Sequence, residues 1–393
     1  MAGLILAINA GSSSLKCALH DELGERRVWS ASVAGLAGEP RLSVRREDAT
    51  ESRHEPLSGG PMSASRALDL LLERLRAAKR LGEITAVGHR IVHGGRDYFE
   101  PTPLDGPVLA DLRRLAPLAP AHQEVNIACV ETAMAAIPGV PHLGCFDTAF
   151  HHSQPRLARL YALPRALSGD GVMSYGFHGL SFAWIAQALQ TVLGERAGGR
   201  TIVAHLGSGA SLCALHDGRS MATTMGMTPL DGLPMSTRSG ALDPGVVLHL
   251  ISDRGLSPDA VADLLTHHSG LLGVSGLSGD MEVLLDSGAS EAREAVDLFV
   301  YRAGRAIGSL AAALGGLDTL VFTAGIGENS PEIRRRICAA AGWLGVRLDE
   351  ARNTAGDRRI SAGDSAVNVL VLPTDEQSMI ARLAGDWLRR SRG

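Results

Sequence analysis

The side chains able to do chemistry in this chain are few, and most of them suit an anion. Lys16 follows the run Asn9-Ala-Gly-Ser-Ser-Ser. Glycine leaves φ free and serine adds hydroxyl donors, so backbone N–H groups can close on a phosphate that lysine reaches as a point charge. The chain has only two lysines, Lys16 and Lys79, and otherwise relies on arginine. Arg90 ends an apolar run just before Gly94-Gly95, where it is either an anion clamp or a solvated cation. Arg238 is the one cation of 221–245, a Gly/Pro/Ser/Thr segment with no period, and long irregular segments inside compact domains are usually functional. His178 lies between Gly176 and Gly179, on permissive backbone that favours a site role over a packed helix face. Asp147 stands just past the run Leu143–Phe146, where a carboxylate either faces a ligand crevice or caps the next segment. His122 opens a helical stretch and can serve a site, cap or pack there.

The elements that must position these groups show a duplication. Residues 4–21 read LILAINAGSSSLKCALHD, and 202–217 read IVAHLGSGASLCALHD. An offset of 196 residues (207 − 11) lays Gly11 on Gly207, Ser12 on Ser208 and Cys17–Asp21 on Cys213–Asp217. A Gly/Ser hairpin explains either loop alone. Recurrence of strand, turn and strand at half the chain length argues instead for two related domains, each offering a phosphate loop. Facing loops of this kind are the layout of the actin, sugar kinase and Hsp70 ATPase fold. Between the repeats, Ala64–Arg80 reads as a helix with leucines 68, 71, 72 and 75 on one face. The stretch 112–136 reads as a helical pair broken by prolines, and 28–60 as short strands and turns. After the second repeat, helices are expected near 244–253, 257–266 and 289–314. Leu317 onward is a buried strand ending in Gly325-Ile-Gly327-Glu-Asn329, whose glycines let a ligand approach the backbone before Pro331 opens a helix. A last strand, Val367–Pro373, leads into Thr374-Asp375-Glu376, first of all a helix-capping pair.

With 393 residues, two domains are expected; 45% hydrophobic and 20% charged residues describe a soluble globular chain. A net charge of −4 without like-charge runs removes the electrostatic case for nucleic acid or an anionic membrane. No apolar run reaches the roughly 18 residues that span a bilayer, and the apolar start lacks the basic region of a signal peptide. The five cysteines form no CxxC pair and read as small core residues of a reducing cytosol.

Taken together, NAGSSSLK at 9–16, GHRIVHGG at 88–95, FDTAFH at 146–151, YGFHG at 175–179, HLGSG at 205–209, MTPLDGLPMSTRSG at 227–240, GIGEN at 325–329 and PTDE at 373–376 resemble the acetokinase family of short-chain carboxylate kinases over nearly the full length. The resemblance implies an α/β fold of two ribonuclease H-like domains of the acetate and sugar kinase/Hsp70/actin superfamily, with an interdomain active-site cleft. The first domain is 1–150, joined by a C-terminal helix at 376–393, and the second is 151–375. It implies reversible, magnesium-dependent transfer from ATP to acetate, giving acetyl phosphate and ADP, with manganese as the alternative metal, in a cytoplasmic homodimer. Asn9 and Glu376 become magnesium-site residues. Lys16 joins the first phosphate loop, and His205, Leu206, Gly207, Ser208 and Gly209 form the second. Gly325, Ile326, Gly327, Glu328 and Asn329 form the adenosine turn, with Asp280, Met281 and Glu282 also contacting nucleotide. Arg90 and Arg238 hold acetate and the transferring group, His178 stabilises the transition state, and Asp147 is the catalytic carboxylate. His122 is a further active-site histidine, and Val92, Phe177 and Pro229 line the methyl pocket.

The chain departs from the family pattern at several positions. Ser208 replaces asparagine, Glu282 an arginine, Ala241 an aspartate and Ala121 a pocket leucine, while Leu180 and Phe182 replace polar residues. Glu282 reverses a charge beside the nucleotide, and Ala121 makes room for one more methylene, worth roughly 1–3 kcal/mol of discrimination. Val92 is the acetate-like choice. The alternatives are therefore a propionate or butyrate kinase, a variant with another phosphoryl donor, or an actin- or Hsp70-like ATPase. The last has no need of Arg90, His178 and Arg238 together.

Overall fold

The computed structural model describes residues 3–11, 13–46 and 53–392. The chain forms two compact units. One comprises the chain up to Phe150, Gly179–Trp184 and the segment from Asp375; the other comprises His151–His178 and Ile185–Thr374.

The first unit is built on eight strands: β1 Leu4–Ala10, β2 Ser14–Asp21, β3 Arg27–Ala34, β4 Arg41–Arg46, β5 Arg53–Pro56, β6 Ile84–Ile91, β7 Thr102–Pro103 and β8 His142–Phe146. Their order is β5-β4-β3-β2-β1-β6-β8-β7. β1 runs antiparallel to β2 and parallel to β6, and β6 runs parallel to β8. A strand buried on both faces reads as a continuous apolar run, and β1 is buried at every residue. Its alternation divides two cores. Leu4, Leu6, Ile8 and Ala10 pack with the helices Ala64–Ala77 and Gln123–Ala136. Ile5 and Ala7 pack with Met379, Ile380, Ala381 and Ala384 of the helix Glu376–Arg392. That helix lies close: a Cβ on Gly88 would sit 2.6 Å from Ile380 Cγ2.

The second unit repeats the plan with β9 Thr201–Leu206, β10 Ala210–His216, β11 Arg219–Thr223, β12 Thr319–Thr323 and β13 Asn368–Val371. The order β11-β10-β9-β12-β13 places an antiparallel hairpin beside two parallel strands, as β3-β2-β1-β6-β8 does in the first unit. The sequence repeat is thus a repeat of topology. β1 pairs with β2 antiparallel as β9 does with β10; Ser12, paired with Ser208 by the offset, lies outside the described residues.

Three expectations need correcting. Lys16 is the third residue of β2, one ladder position beyond the turn. The first helix stops at Ala77, because its last-turn carbonyls already accept the Ala78 N–H and Lys79 takes φ 57°. Gly325–Asn329 is part of a short helix, Ala324–Asn329, because Glu328 Oε1 accepts the Ala324 N–H at 2.8 Å and closes the turn.

Candidate active site

Period-2 geometry assembles the first group of side chains. Side chains two apart along a strand share a face. Asn9 continues the Ile5–Ala7 face, Arg90 the Ala86–Gly88 face, and Asp147 the Leu143–Cys145 face. Because β1, β6 and β8 are parallel neighbours, all three polar groups fall at adjacent C-terminal strand ends, where α/β sheets bind ligands. The helix over that face begins at Glu376. The groups are joined in a chain. Asn9 Nδ2 donates to Glu376 Oε2 at 2.7 Å, and Arg90 donates to Asn9 Oδ1 at 3.1 Å. Arg90 Nε and Nη2 donate to Asp147 Oδ2 at 2.9 and 2.6 Å. Lys16 pairs directly with Asn9 in the ladder, so the two share a face; Lys16 is exposed.

Asp147 is fully buried, and its Oδ1 has no hydrogen-bond partner among the described residues. Burial pushes its carboxyl up to about 6, against the pull of Arg90 and with a further upward push from Glu376. Burial works against the charge of Arg90 too, but Asp147 and Glu376 outweigh it and hold the guanidinium firmly protonated. A fixed cation with one orphaned carboxylate oxygen beside it is poised for a ligand.

Sequence reasoning missed the residues that hold this group. Asn126 Oδ1 accepts the Val92 N–H at 3.0 Å while its Nδ2 donates to Ala10 O at 2.8 Å, tying the first loop to the strand end. Gln123 Oε1 accepts the His93 N–H, and its Nε2 donates to His93 O. His122, N-terminal cap of the same helix without a side-chain capping bond, is half-buried, and Val92 is buried.

The second group lies in the second unit. His178 caps the helix Gly179–Leu193 with φ 58° and ψ 24°, a left-handed backbone rare for a side-chain-bearing residue. Its Nδ1 lies 2.8 Å from Ser211 Oγ, and its ring stacks on His205 with centroids 4.2 Å apart. A Cβ on Gly209 would lie 2.9 Å from Arg238 Nη2 and 3.2 Å from His178 Nε2, so the second loop meets both side chains. Arg238 Nη1 donates to Pro229 O at 2.6 Å. Gly207 faces Ala324 and Gly325, with contacts of 3.7 and 3.9 Å to an added Cβ, which brings the helix 324–329 to the same loop. Ser208 is exposed, and its carbonyl accepts the Ser236 N–H; Gly279, next to the segment 280–282, packs on Ser236. Asp280 caps the short helix Met281–Asp286 and Glu282 is exposed. Leu206, Met281 and Phe177 bury their side chains. Ile326 is half-buried and Gly327 buried, and Asn329 Nδ2 donates to Gly325 O.

Arg334 was not legible as a site residue. It is 1% exposed and donates to the carbonyls of Gly327 and Glu328 at 3.1 and 2.8 Å, besides Asn353. Its guanidinium thus closes the C-terminal end of the helix 324–329, where a cation opposes the dipole.

Among the described residues no cluster of three or more His, Cys, Asp and Glu could hold a metal. Asp147 Oδ1, Glu376 and Asn9 nevertheless supply hard oxygen atoms, and magnesium takes one or two carboxylates together with substrate phosphates, so the donor set fits that ion.

Two α/β units of matching topology, each with a β-turn-β loop, define the acetate and sugar kinase/Hsp70/actin fold class. The chain belongs to the acetokinase family, whose model matches residues 4–382. An acetate kinase of Rhodopseudomonas palustris is 47% identical over 389 residues, covering 97% of this chain and 98% of the relative. The crystal structure of a Francisella tularensis propionate kinase superposes with a TM-score of 0.89 at 32% identity, over 98% of this chain and 99% of the other. That of Porphyromonas gingivalis acetate kinase gives 0.85 at 35%, over 98% and 100%.

Proposed function

We propose that the chain is a phosphotransferase with a carboxyl acceptor, moving the γ-phosphoryl group of ATP directly and reversibly onto acetate to give acetyl phosphate and ADP. The observation that carries this reading is Arg90, a guanidinium fixed at the strand ends by Asp147 and Asn9, bonds that use three of its five N–H groups. Acetate is already ionised at neutral pH, since carboxyl groups titrate at roughly 4, so the nucleophile needs no base. What it needs is orientation and relief of charge repulsion in a loose, anionic transition state. Arg90 orients acetate, and Asp147 orients Arg90. Arg238 and the Gly207–Gly209 amides bear on the transferring group, and His178 stabilises the charge on its equatorial oxygens. In the first unit His122 adds a donor on the acceptor side and Val92 suits the methyl group; in the second unit Phe177 and Pro229 are the apolar residues assigned to the substrate. Lys16 binds nucleotide phosphate; Gly325–Asn329 and 280–282 hold the nucleoside. Magnesium, or manganese in its place, would be held by Asn9, Glu376 and Asp147, and supplies neutralising charge to the phosphates.

Ala121, half-buried beside His122, supports tolerance of propionate, and the exposed carboxylate of Glu282 supports a weaker preference for ATP over pyrophosphate. Leu242, Val246 and Leu248, 41, 40 and 65% exposed on and beside the helix Pro244–Ser252, support a homodimer, and light scattering tests it. A cytoplasmic setting agrees with five buried free cysteines; among the described residues no helix is long and apolar enough to cross a membrane.

Hydroxamate trapping, with acetate, propionate and butyrate crossed against ATP, GTP and pyrophosphate, tests the reading. Strong product from acetate and ATP is expected. No product with any pair from folded protein overturns the reaction, and product with another donor alone overturns the assignment of ATP.

A further inference from the structure

Deepening that reading, and resting on the role it gives His178, we propose that His151 is the positioning residue that sets the His178 backbone. His151 belongs to the FDTAFH run, yet nothing in the phosphoryl transfer above uses it. It is fully buried. Its Nε2 lies 2.9 Å from Phe177 O, an acceptor only, so Nε2 carries the proton. Nδ1 then accepts, at 2.8 Å, the hydroxyl proton of Ser220, whose oxygen in turn accepts the Gln154 amide at 3.0 Å. Burial holds the imidazole neutral, with its pKa lowered to about 4, so this single tautomer persists.

The Phe177 carbonyl belongs to the peptide plane whose rotation sets φ of His178. Fixing that oxygen fixes the 58° value. A left-handed non-glycine residue costs of order 1–3 kcal/mol and persists only when its surroundings over-determine it. They do so here from two sides. The Tyr175 and Gly176 N–H groups both donate to Gly226 O, at 3.0 and 3.1 Å. A Cβ on Gly176 would fall 2.7 Å from the His151 ring, so the loop lies directly against it. His151 therefore acts as a buried peg between β11, which carries Ser220, and the loop that presents the His178 ring to Gly209 and Arg238.

The test compares His151→Ala and His151→Gln in the wild-type and His178→Ala backgrounds, with folding checked by circular dichroism. In the wild-type background His151→Ala is expected to lower kcat about tenfold to a hundredfold, the range for misplacing a transition-state donor, with KM for acetate and ATP held within about twofold. His151→Gln, whose amide can still donate to Phe177 O and accept from Ser220, should recover much of the loss. In the His178→Ala background neither change should cost more. A wild-type kcat in folded His151→Ala, or an equal loss in the His178→Ala background, overturns the proposal. If His151→Ala does not fold, the glutamine variant and Ser220→Ala carry the same comparison. The ring resonances of His178, assigned by their absence in His178→Ala, give a readout independent of turnover and must shift in His151→Ala (or Ser220→Ala) and return toward the wild-type positions in His151→Gln. An inactive wild type would sink the kinase reading and leave that resonance test standing; unshifted resonances would sink the positioning role alone.

Discussion

Arg90 is set by its neighbours rather than by its own rotamers. The Asp147 carboxylate takes two of its N–H groups and is itself fully buried, so each charge depends on the other. Replacing Asp147 by Asn keeps shape but removes a charge-assisted pair worth about 1.5–3 kcal/mol. The expected result is a drop in kcat of about tenfold to a hundredfold with the protein still folded; unchanged turnover and magnesium dependence would remove Asp147 from the mechanism. Because burial raises the Asp147 carboxyl to about 6, protonation below that pH releases Arg90, so kcat/KM should fall on the acid side of about 6. In Asp147→Asn that limb should disappear, as a pH–rate profile will show. Glu282 tests the donor side. It is exposed at the start of a short helix beside the loop that carries Ser236, so Glu282→Arg changes charge without disturbing a core. A severalfold lower KM for ATP is expected at low ionic strength, shrinking with added salt as exposed charges are screened; an unchanged KM would place 280–282 away from the nucleotide. Arg90, Asp147, His178 and Arg238 were legible because strand ends and flanking glycines mark them. His151, Asn126, Gln123 and Arg334 were not. A buried polar residue is defined by its tertiary partners, and those lie 11 to 116 positions away along the chain for Gln123 and Asn126.

At the scale of elements, one strand does most of the positioning. β1 buries both faces, and its alternation assigns Asn9 to the face that the helix Glu376–Arg392 covers. The helix delivers Glu376 only as precisely as it packs. Gly88 sets that packing, since a Cβ there would lie 2.6 Å from Ile380 Cγ2 and 3.3 Å from Ile380 O. Overpacking typically costs 1–3 kcal/mol. Gly88→Ala should therefore lower the denaturation midpoint by about that energy and also raise the magnesium concentration needed for half-maximal rate. A loss of stability with unchanged magnesium dependence would show that Glu376 does not report the helix position. Asp375 supports the same helix start: its carboxylate accepts the Ser378 N–H and hydroxyl at 3.0 and 2.8 Å, and it pairs with Arg27. The strands and long helices were readable from periodicity. The short helices 270–275, 281–286 and 324–329 were not, because six residues barely exceed one turn and their ends are closed by contacts such as Glu328 to Ala324.

At the scale of the molecule, the duplicated plan puts buried neutral histidines in both units. His20 and His89 lie in the first and His151 in the second. Burial is the main cause in each case. It lowers His20 and His151 to about 4 and His89 well below its ordinary value. The unfolded chain binds a proton near 6.5, so each group contributes stability that is present above about 6.5 and is lost as pH falls toward 4. A drop from 6.5 to about 4 corresponds to about 3 kcal/mol at most for His20 and for His151. Asp147 works the other way. Its raised carboxyl penalises the fold above about 6 and relieves it in acid, by a comparable amount. With His142 also lowered by burial, four buried histidines stand against Asp147 and Asp231, whose carboxyls burial raises; the balance is a net loss on acidification, and total stabilities of 5–15 kcal/mol make such a loss decisive. Urea midpoints measured at pH 8, 6.5, 5.5 and 4.5 should be flat between the first two and then fall steeply. The fall should be shallower in His20→Gln, where the bonds of one ring nitrogen, Nε2, to Ser378 and Arg27 are disturbed. Midpoints that hold steady down to pH 4.5 would mean that these imidazoles take up protons in place, and that the buried polar network of each unit is more open to water than its packing implies.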